Sequence, residues 1–256
     1  ARPGKPATLL EFNTDASHVI GLDLSDAATF RGAVMRLDGS VVARAQTPLA
    51  DRKGSDAVDL VSALISELLA STDRPLLGIG VGSPGVVDLA GTVLSAPNLA
   101  WHDLPLQRDL EARFGVPVVV ANDANAAALA EHSFGGGSGD MMLIAIGHGV
   151  GGGLVLGGRS LFGSRFAAGE IGHVTVGTDG GPTCACGKVG CLEAWLAESA
   201  LAAHVAASDT AALRAAGDRL GIALAPVLGV LDISEILLSG RPELLDGELK
   251  QATIET

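Results

Sequence analysis

The chain has 256 residues, enough for one large domain or two of ordinary size with a real hydrophobic core. Its net charge of −12 opposes binding of nucleic-acid phosphates by this region itself. Although 48% of the residues are hydrophobic, no uninterrupted apolar stretch approaches the ~18 residues of a membrane span, and residues 1–20 lack the features of a signal peptide. These properties predict a cytoplasmic protein that does not cross a membrane.

The N-terminal residues predict a connection to a preceding segment. The chain begins at Ala1 rather than at a Met, and residues 2–6 are basic and contain Pro and Gly, so they cannot form a helix interior. We expect residues 1–17 to be a linker. A disordered N-terminus or the remnant of a tag is the alternative.

The first half of the chain predicts strands and helices in alternation, from short apolar runs bounded by turn residues and from apolar residues at helical spacing. In chain order these are strands 19–24, 31–37 and 41–47, helix 55–71, strand 76–81, helix 106–114, strand 118–121 and helix 124–132. Asp38-Gly39 is the expected hairpin turn, Ser55 the expected N-cap of the first helix, and Gly115 the residue that ends the second.

The second half repeats this layout in outline, without a detectable sequence repeat. A strand is predicted at 141–146, a glycine loop at 147–153 and a strand at 154–156. A cysteine-bearing segment precedes a helix from about Leu192. The helical pattern 211–231 contains Pro226, where we expect a kink or break, and a strand follows at 235–238. This order predicts an α/β protein with two lobes, residues 18–121 and 122–256, and a cleft between them.

All the cysteines of the chain lie in one short segment. They are Cys184, Cys186 and Cys191, and His173 precedes them. An odd local group is a poor disulfide framework, whereas three thiolates and one imidazole complete a tetrahedral zinc site. We predict a structural zinc ion that stabilises a loop with little core of its own. The alternative is that these are only small buried residues.

Several motifs resemble, in order, those of the ROK family of sugar kinases and sugar-responsive transcriptional repressors. They are Gly82-Ser-Pro-Gly85, Ala96-Pro-Asn-Leu99 before Trp101, Asn122-Asp123-Ala-Asn125, Glu170-Ile-Gly-His173 and the run from Cys184 to Glu193. The resemblance covers about residues 21–240. It implies a two-lobed actin-like (ribonuclease-H-like) ATPase fold, a sugar in the cleft, zinc shaping the wall of the cleft, and a homodimer or higher homo-oligomer.

The resemblance also implies a set of residues that contact the sugar. They are Gly85, Asn98, Asn122, Asp123, Glu170, His173 and Glu193. Carboxylates and amides suit sugar hydroxyls because they form charge-assisted or bidentate hydrogen bonds. His173 would bind zinc through one ring nitrogen and donate to the sugar from the other. Without the resemblance, the two glutamates are most simply solvated surface charges.

Asp123 has two alternative roles. An Asp just before a helix is often only its N-cap. By resemblance it is the catalytic base of the kinases, which takes the proton of a sugar hydroxyl as that oxygen attacks the terminal phosphate of ATP in the presence of Mg²⁺. A carboxylate also accepts from a sugar hydroxyl without any chemistry, so the presence of Asp123 does not separate a kinase from a sugar sensor.

The sequence departs from the kinase pattern on the nucleotide side. Kinases of the family carry Asp-Leu-Gly-Gly-Thr after the first strand, where glycines let the backbone approach phosphate. Residues 23–27 here read Asp-Leu-Ser-Asp-Ala, so Asp26 places a negative charge where phosphate would lie. In addition, His148 replaces the Thr of the second phosphate loop, and Ser239-Gly240-Arg241 keeps only part of a glycine pair.

These departures favour the sugar-binding effector region of a ROK-type transcriptional regulator. Repressors of the family carry a winged helix-turn-helix module before the sugar-binding lobes, so residues 1–17 would be the linker from that module, which would bind DNA. A hexose or amino sugar in the cleft would shift the arrangement of lobes or subunits and thereby DNA binding. The alternatives are an ATP-dependent sugar kinase with Asp123 as base, and a zinc-stabilised scaffold that binds only protein partners.

Overall fold

A computed structural model describes residues 11–177 and 180–256, so most of the expected linker, residues 1–10, lies outside the described residues. Within the described residues the chain is an α/β protein, as predicted. None of their helices combines the length and apolarity that a membrane span requires.

The first half forms a sheet of five strands with helices packed around one hydrophobic core. Its elements are β1 (His18–Asp23), β2 (Thr29–Arg36), β3 (Val41–Pro48), α1 (Gly54–Ala70), β4 (Leu76–Ser83), β5 (Val86–Val87), β6 (Val93–Ala96), β7 (Trp101–Leu104), α2 (Leu106–Phe114) and β8 (Val118–Asn122). The sheet order is β3-β2-β1-β4-β8, with β1 antiparallel to β2 and parallel to β4. The core of this half consists of residues between Ile20 and Val120.

Glycines with positive φ lie at several element boundaries in this half. Gly39 adopts φ 82° in the β2–β3 hairpin and Gly115 adopts φ 66° at the end of α2, as predicted. The predicted N-cap Ser55 is wrong, because Gly54 takes φ 56° and starts α1 one residue earlier, which places Ser55 inside the first turn. The small sheet β5-β6-β7 was not predicted, since its strands are too short to show a period.

The second half contains a four-stranded sheet and the remaining helices. Its elements are α3 (Asp123–Ala130), which continues as a π-helical turn over Glu131–Gly135, then β9 (Met141–Ile146), β10 (Val150–Leu156), β11 (Arg159–Ser160), a 3₁₀ turn (Ile171–His173), α4 (Leu192–Leu196), α5 (Glu198–Ala206), α6 (Thr210–Leu231), β12 (Glu235–Ser239), α7 (Pro242–Leu245) and α8 (Glu248–Glu255). The sheet order is β11-β10-β9-β12, with β9 antiparallel to β10 and parallel to β12. This is the arrangement of β3-β2-β1-β4, so the two halves share a topology without sharing a sequence.

Two expectations for the second half are corrected by the structure. β10 begins at Val150, so Gly151 to Gly153 are strand residues rather than part of a loop. Glycine is rare in strands unless another backbone approaches closely, as the backbones of Ala124 and Gly169 do here. The expected break at Pro226 does not occur, because α6 continues to Leu231. Pro226 lies on the exposed side of the helix, where water can satisfy the carbonyl that proline leaves without a donor.

Candidate functional site

The candidate residues lie where α3 begins. Because β1, β4 and β8 are parallel, their carboxyl ends share one edge of the sheet, with Asp23 beside Gly82 and Ser83 beside Asn122. Helix α3 starts at this edge and packs against both β4 of the first sheet and β10 of the second. Ligands of open α/β sheets bind outside the carboxyl ends of the strands, so this edge is where a site is expected.

Asn122 links the two halves of the molecule at this point. Its Oδ1 accepts a 2.9 Å hydrogen bond from the Asn125 amide and caps α3, while its Nδ2 donates to Gly85 O at 2.9 Å. Gly85 adopts φ 82°, and a Cβ there would lie 2.1 Å from Ser95 O, so the turn requires glycine. The structure therefore brings Gly85 and Asn122 together through a backbone carbonyl.

Asp123 is not the N-cap of α3, because Asn122 fills that position. Its Oδ1 accepts hydrogen bonds from the Ala124 amide at 2.8 Å and from Asn122 Nδ2 at 3.0 Å. Burial raises the pKa of Asp123 to about 6, and the nearby charges of Asp23 and Glu170 act in the same direction. A carboxyl group that titrates near neutral pH beside a cleft is suited to accept a proton or a hydrogen bond from a hydroxyl.

Glu170 and Glu193 lie on the second half of the molecule, where the charge of Glu170 acts on Asp123 and that of Glu193 acts on Glu170. Glu170 is exposed as a residue, but desolvation of its carboxyl group is the main cause of a raised pKa; the charge of His173 opposes this shift and that of Glu193 adds to it. Glu193 is half-buried, and its Oε2 accepts from the Val150 amide at 3.2 Å. Glu193 is therefore fixed against β10 and is not a simple solvated surface charge.

The four predicted metal ligands converge. They are His173, Cys184, Cys186 and Cys191, and one ligand atom from each lies within 4.8 Å of all the others. Cys186 Sγ and Cys191 Sγ are 3.7 Å apart, as are Cys184 Sγ and His173 Nδ1. Thiolates at ~2.3 Å from a tetrahedral zinc are separated by about 3.8 Å, so the spacing suits a metal and is too long for a disulfide. This group could hold a metal ion.

The turns between the cysteines explain how such a short segment brings its ligands together. Gly187 adopts φ 87° and donates its amide to Cys184 O at 2.9 Å, and Gly190 adopts φ 76°. The thiol of Cys184 also donates to Glu193 Oε1 at 3.4 Å. The candidate metal site and the sugar candidate Glu193 are therefore in direct contact.

Asn98 is the predicted residue that the structure does not join to the rest. It is exposed on the 3₁₀ turn Pro97–Leu99 between β6 and β7. Among the described residues, no hydrogen bond connects its side chain to Asn122, Asp123 or Glu170. Its assignment to a sugar remains a prediction.

The loop between β1 and β2, where the kinases of the family are expected to hold phosphate, satisfies its backbone with its own carboxylates. Asp26 Oδ1 accepts from the Ala28 amide at 2.7 Å and from the Thr29 amide at 3.2 Å, and Asp26 Oδ2 accepts from Arg31 at 2.7 Å. The hydrogen bond from Ala28 is the main cause of a lowered pKa of Asp26. The amides that could face an anion are therefore already bonded to a carboxylate. The sequence had predicted the charge of Asp26 but not these bonds.

The second glycine turn, residues 147–149, is also closed by internal contacts. The Gly147 amide donates to Gly149 O at 2.9 Å, and Gly147 O accepts from the Glu198 amide at 2.8 Å. Glu198 in turn pairs with Arg241 at 2.9 Å. This Arg241–Glu198 pair was not predicted, because no sequence pattern indicates contact between residues so far apart along the chain.

Solved structures define the class of protein. A ROK-family glucokinase from Streptomyces griseus, in complex with glucose and AMPPNP, superposes with a TM-score of 0.79 at 26% identity over 92% of this chain and 88% of that one. A ROK-family transcriptional regulator, a homologue of the E. coli MLC protein, gives 0.83 at 27% identity over 98% of this chain and 73% of that one. The chain is an α/β protein with the actin-like ATPase fold of these proteins.

Sequence comparison then identifies the family. The ROK family model matches residues 19–247. This chain belongs to the ROK family, as its motifs predicted. A putative xylose repressor from Caldicellulosiruptor sp. is 37% identical over 209 residues, which are 78% of this chain and 52% of that protein. A glucokinase from Halalkalibacterium halodurans is 40% identical over 181 residues, 68% of this chain and 54% of that protein. The chain thus spans about half the length of these curated relatives.

Proposed function

We propose that this chain is the sugar-binding effector region of a ROK-type transcriptional regulator, with a hexose, pentose or amino sugar bound at the start of α3. The family contains regulators and kinases, so the choice depends on the site. One observation carries the proposal: the Asp26 carboxylate already occupies the Ala28 and Thr29 amides beside the cleft. A phosphate would have to displace this carboxylate and its ion pair with Arg31, whereas Asp123 and Glu193 accept from neighbouring donors but pair with no cation among the described residues.

Asp123, Glu170 and Glu193 would accept from sugar hydroxyls, and Asn122 would orient Asp123. His173 Nδ1 points to Cys184 Sγ, so a metal bound there leaves Nε2 to carry the proton and donate to the sugar. We propose that this metal is zinc, because three thiolates and one imidazole match its preferred donors. The zinc would stabilise the segment that carries His173 and Glu193, and need take no part in chemistry.

The remaining parts of the proposal concern the longer protein. The lobes 18–121 and 122–256 would change their arrangement when sugar binds, a preceding winged helix-turn-helix would bind DNA, and the protein would act as a homodimer or higher homo-oligomer. Sugar-dependent binding of the full gene product to its operator DNA, measured by fluorescence anisotropy, tests this part. Operator binding that ignores every sugar bound by this chain would contradict it.

The direct test uses calorimetry on the zinc-loaded chain. D-Glucose, D-xylose and N-acetylglucosamine are titrated, and AMPPNP with Mg²⁺ is titrated separately. We expect heat from at least one sugar, loss of that heat in Asp123→Ala, and no heat from the nucleotide. Asp109→Ala is the matched control, because Asp109 is exposed on α2 and, within the part of the chain that the structure describes, its side chain pairs only with neighbouring Arg108. Absence of heat from every sugar would remove the proposal.

A sugar kinase is the second candidate, favoured by the Asp123 carboxyl. A base that titrates near neutral pH is well matched to removing a proton from a sugar hydroxyl. Incubation with ATP, Mg²⁺ and the same sugars, followed by detection of ADP, tests it. Turnover that requires Asp123 would establish the kinase and overturn the sensor.

A further inference from the structure

We infer that Gly153 positions Asp123: the absence of a side chain at Gly153 sets the separation of α3 and β10 and so places the sugar-binding carboxylate. This inference rests on the proposed sugar site and adds a residue that lies outside it. Gly153 belongs to the run of glycines in β10, which would otherwise be explained as part of a phosphate loop.

The contact between Gly153 and α3 is one of backbone with backbone. A Cβ at Gly153 would lie 2.3 Å from Ala124 O and 2.6 Å from Ala128 Cβ. Ala124 directly follows Asp123 in the first turn of α3. A backbone carbonyl cannot swing aside as the end of a side chain can, so α3 and β10 would have to separate by roughly 1 Å to restore a normal contact.

The other face of β10 prevents the strand from moving away. The Gly152 amide donates to Gly169 O at 2.8 Å, and a Cβ at Gly169 would lie 1.9 Å from Gly152 O. The loop that carries Glu170 therefore packs directly on the strand backbone. Because β10 is confined between this loop and α3, a methyl group at Gly153 displaces the start of α3, and Asp123 moves with it. A displacement of this size is enough to weaken a site that depends on several directed contacts.

Gly151 provides a matched control in the same strand. It lies two residues before Gly153 and so faces the same side, toward α3. A Cβ at Gly151 would be 3.5 Å from Ala124 Cβ, an ordinary van der Waals contact. Gly151→Ala therefore adds the same methyl group and the same change of backbone propensity, without displacing the helix.

The experiment compares the zinc-loaded full chain with its Gly153→Ala and Gly151→Ala variants. Affinity for D-glucose and D-xylose is measured by calorimetry, zinc content by atomic absorption, and the pKa of Asp123 by carboxyl ¹³C NMR. We expect Gly153→Ala to weaken sugar binding about tenfold or more and to lower the pKa of Asp123, with full zinc content. We expect Gly151→Ala to stay within about twofold of the original chain. A Gly153→Ala variant that binds sugar and titrates at Asp123 like the original chain would overturn the inference.

Two further outcomes are also decisive. If the original chain binds none of the sugars, the proposed function fails, and the pKa of Asp123 in Gly153→Ala still decides the positioning role. If Gly153→Ala does not fold with its zinc, Gly152→Ala replaces it, since its Cβ would meet Gly169 O at 3.1 Å and the flexible end of Met142 at 2.8 Å. We then expect a several-fold loss of affinity, and an unchanged affinity with unchanged Asp123 titration would overturn the inference.

Discussion

The start of α3 and the β1–β2 loop differ in how their carboxylates are partnered. At the start of α3, Asp123 accepts from the Ala124 amide and from Asn122, and burial raises its pKa to about 6. In the β1–β2 loop, Asp26 accepts from two backbone amides and from Arg31, and its pKa is lowered. Both carboxylates bond to backbone amides, but only Asp26 is paired with a cation, so desolvation dominates at Asp123 and leaves its carboxyl group suited to a ligand. Under the proposed function, this difference separates a side that binds sugar from a loop that does not accept phosphate.

Removal of the proposed metal should have the largest effect on stability and on sugar binding. We expect no direct effect on the β1–β2 loop. Cys191 is buried in the ligand group, so Cys191→Ser should abolish zinc binding, lower the free energy of unfolding by several kcal/mol and eliminate sugar binding. Zinc content, thermal melting and calorimetry measure these effects. Lys188→Ala, an exposed change within the same loop, is the control and should keep its zinc. Full sugar affinity without zinc would show that the metal does not support this side of the cleft.

Replacement of Asp123 should weaken sugar binding and, in the same variant, raise the free energy of unfolding. The folded chain holds the Asp123 proton up to about pH 6, while the unfolded chain releases it near its ordinary pKa, so stability is lost as pH rises from about 4 to 6. Asp123→Asn removes this loss. We expect it to raise the free energy of unfolding by about 1–2 kcal/mol at pH 7.5, to have little effect at pH 4, and to reduce sugar affinity about tenfold. Denaturant unfolding at pH 4 and at pH 7.5 measures these free energies. An Asp123→Asn variant that is destabilised equally at the two pH values would contradict the prediction.

Replacement of Asp26 should make the β1–β2 loop able to bind an anion. Asp26→Gly frees the Ala28 and Thr29 amides and Arg31, at a cost of about 1 kcal/mol in stability. We expect AMPPNP with Mg²⁺ to perturb the NMR signals of these two amides in the variant only. The matched control is Asp38→Gly, because Asp38 accepts from the Ser40 amide at 2.9 Å in the hairpin turn away from the cleft. Nucleotide binding by the original chain would show instead that Asp26 does not close this side.

Asp23 lies between the two sides and should give the smallest effect. It is exposed, and its charge is one of the causes that raise the pKa of Asp123. Asp23→Asn should therefore lower the pKa of Asp123 slightly, because the removed charge disfavoured ionisation. Carboxyl ¹³C titration measures the shift. An upward shift would mean that Asp23 acts on Asp123 through structure rather than through charge.

Much of the candidate site could be predicted because its signals are local. The convergence of His173, Cys184, Cys186 and Cys191 was predicted, since short spacings and flanking glycines favour a close approach. The part that escaped prediction depends on distant segments. The closeness of Asp23 to Asp123 requires the parallel register of β1, β4 and β8, and the role of the β10 glycines requires knowing that α3 crosses them.

The sequence by itself determined the order of most of the longer strands and helices, the residues of the candidate metal site and the family, because periodicity, ligand type and motif spacing are properties of neighbouring residues. Only the tertiary structure decided that Asn122 rather than Asp123 caps α3, that Asp26 bonds to the amides beside it, and that the glycines after Val150 form a strand. Each of these depends on where a backbone donor points or on which backbone approaches from another part of the chain. Residue types alone do not specify those directions, since the same carboxylate can satisfy an amide of its own loop or a ligand in the cleft.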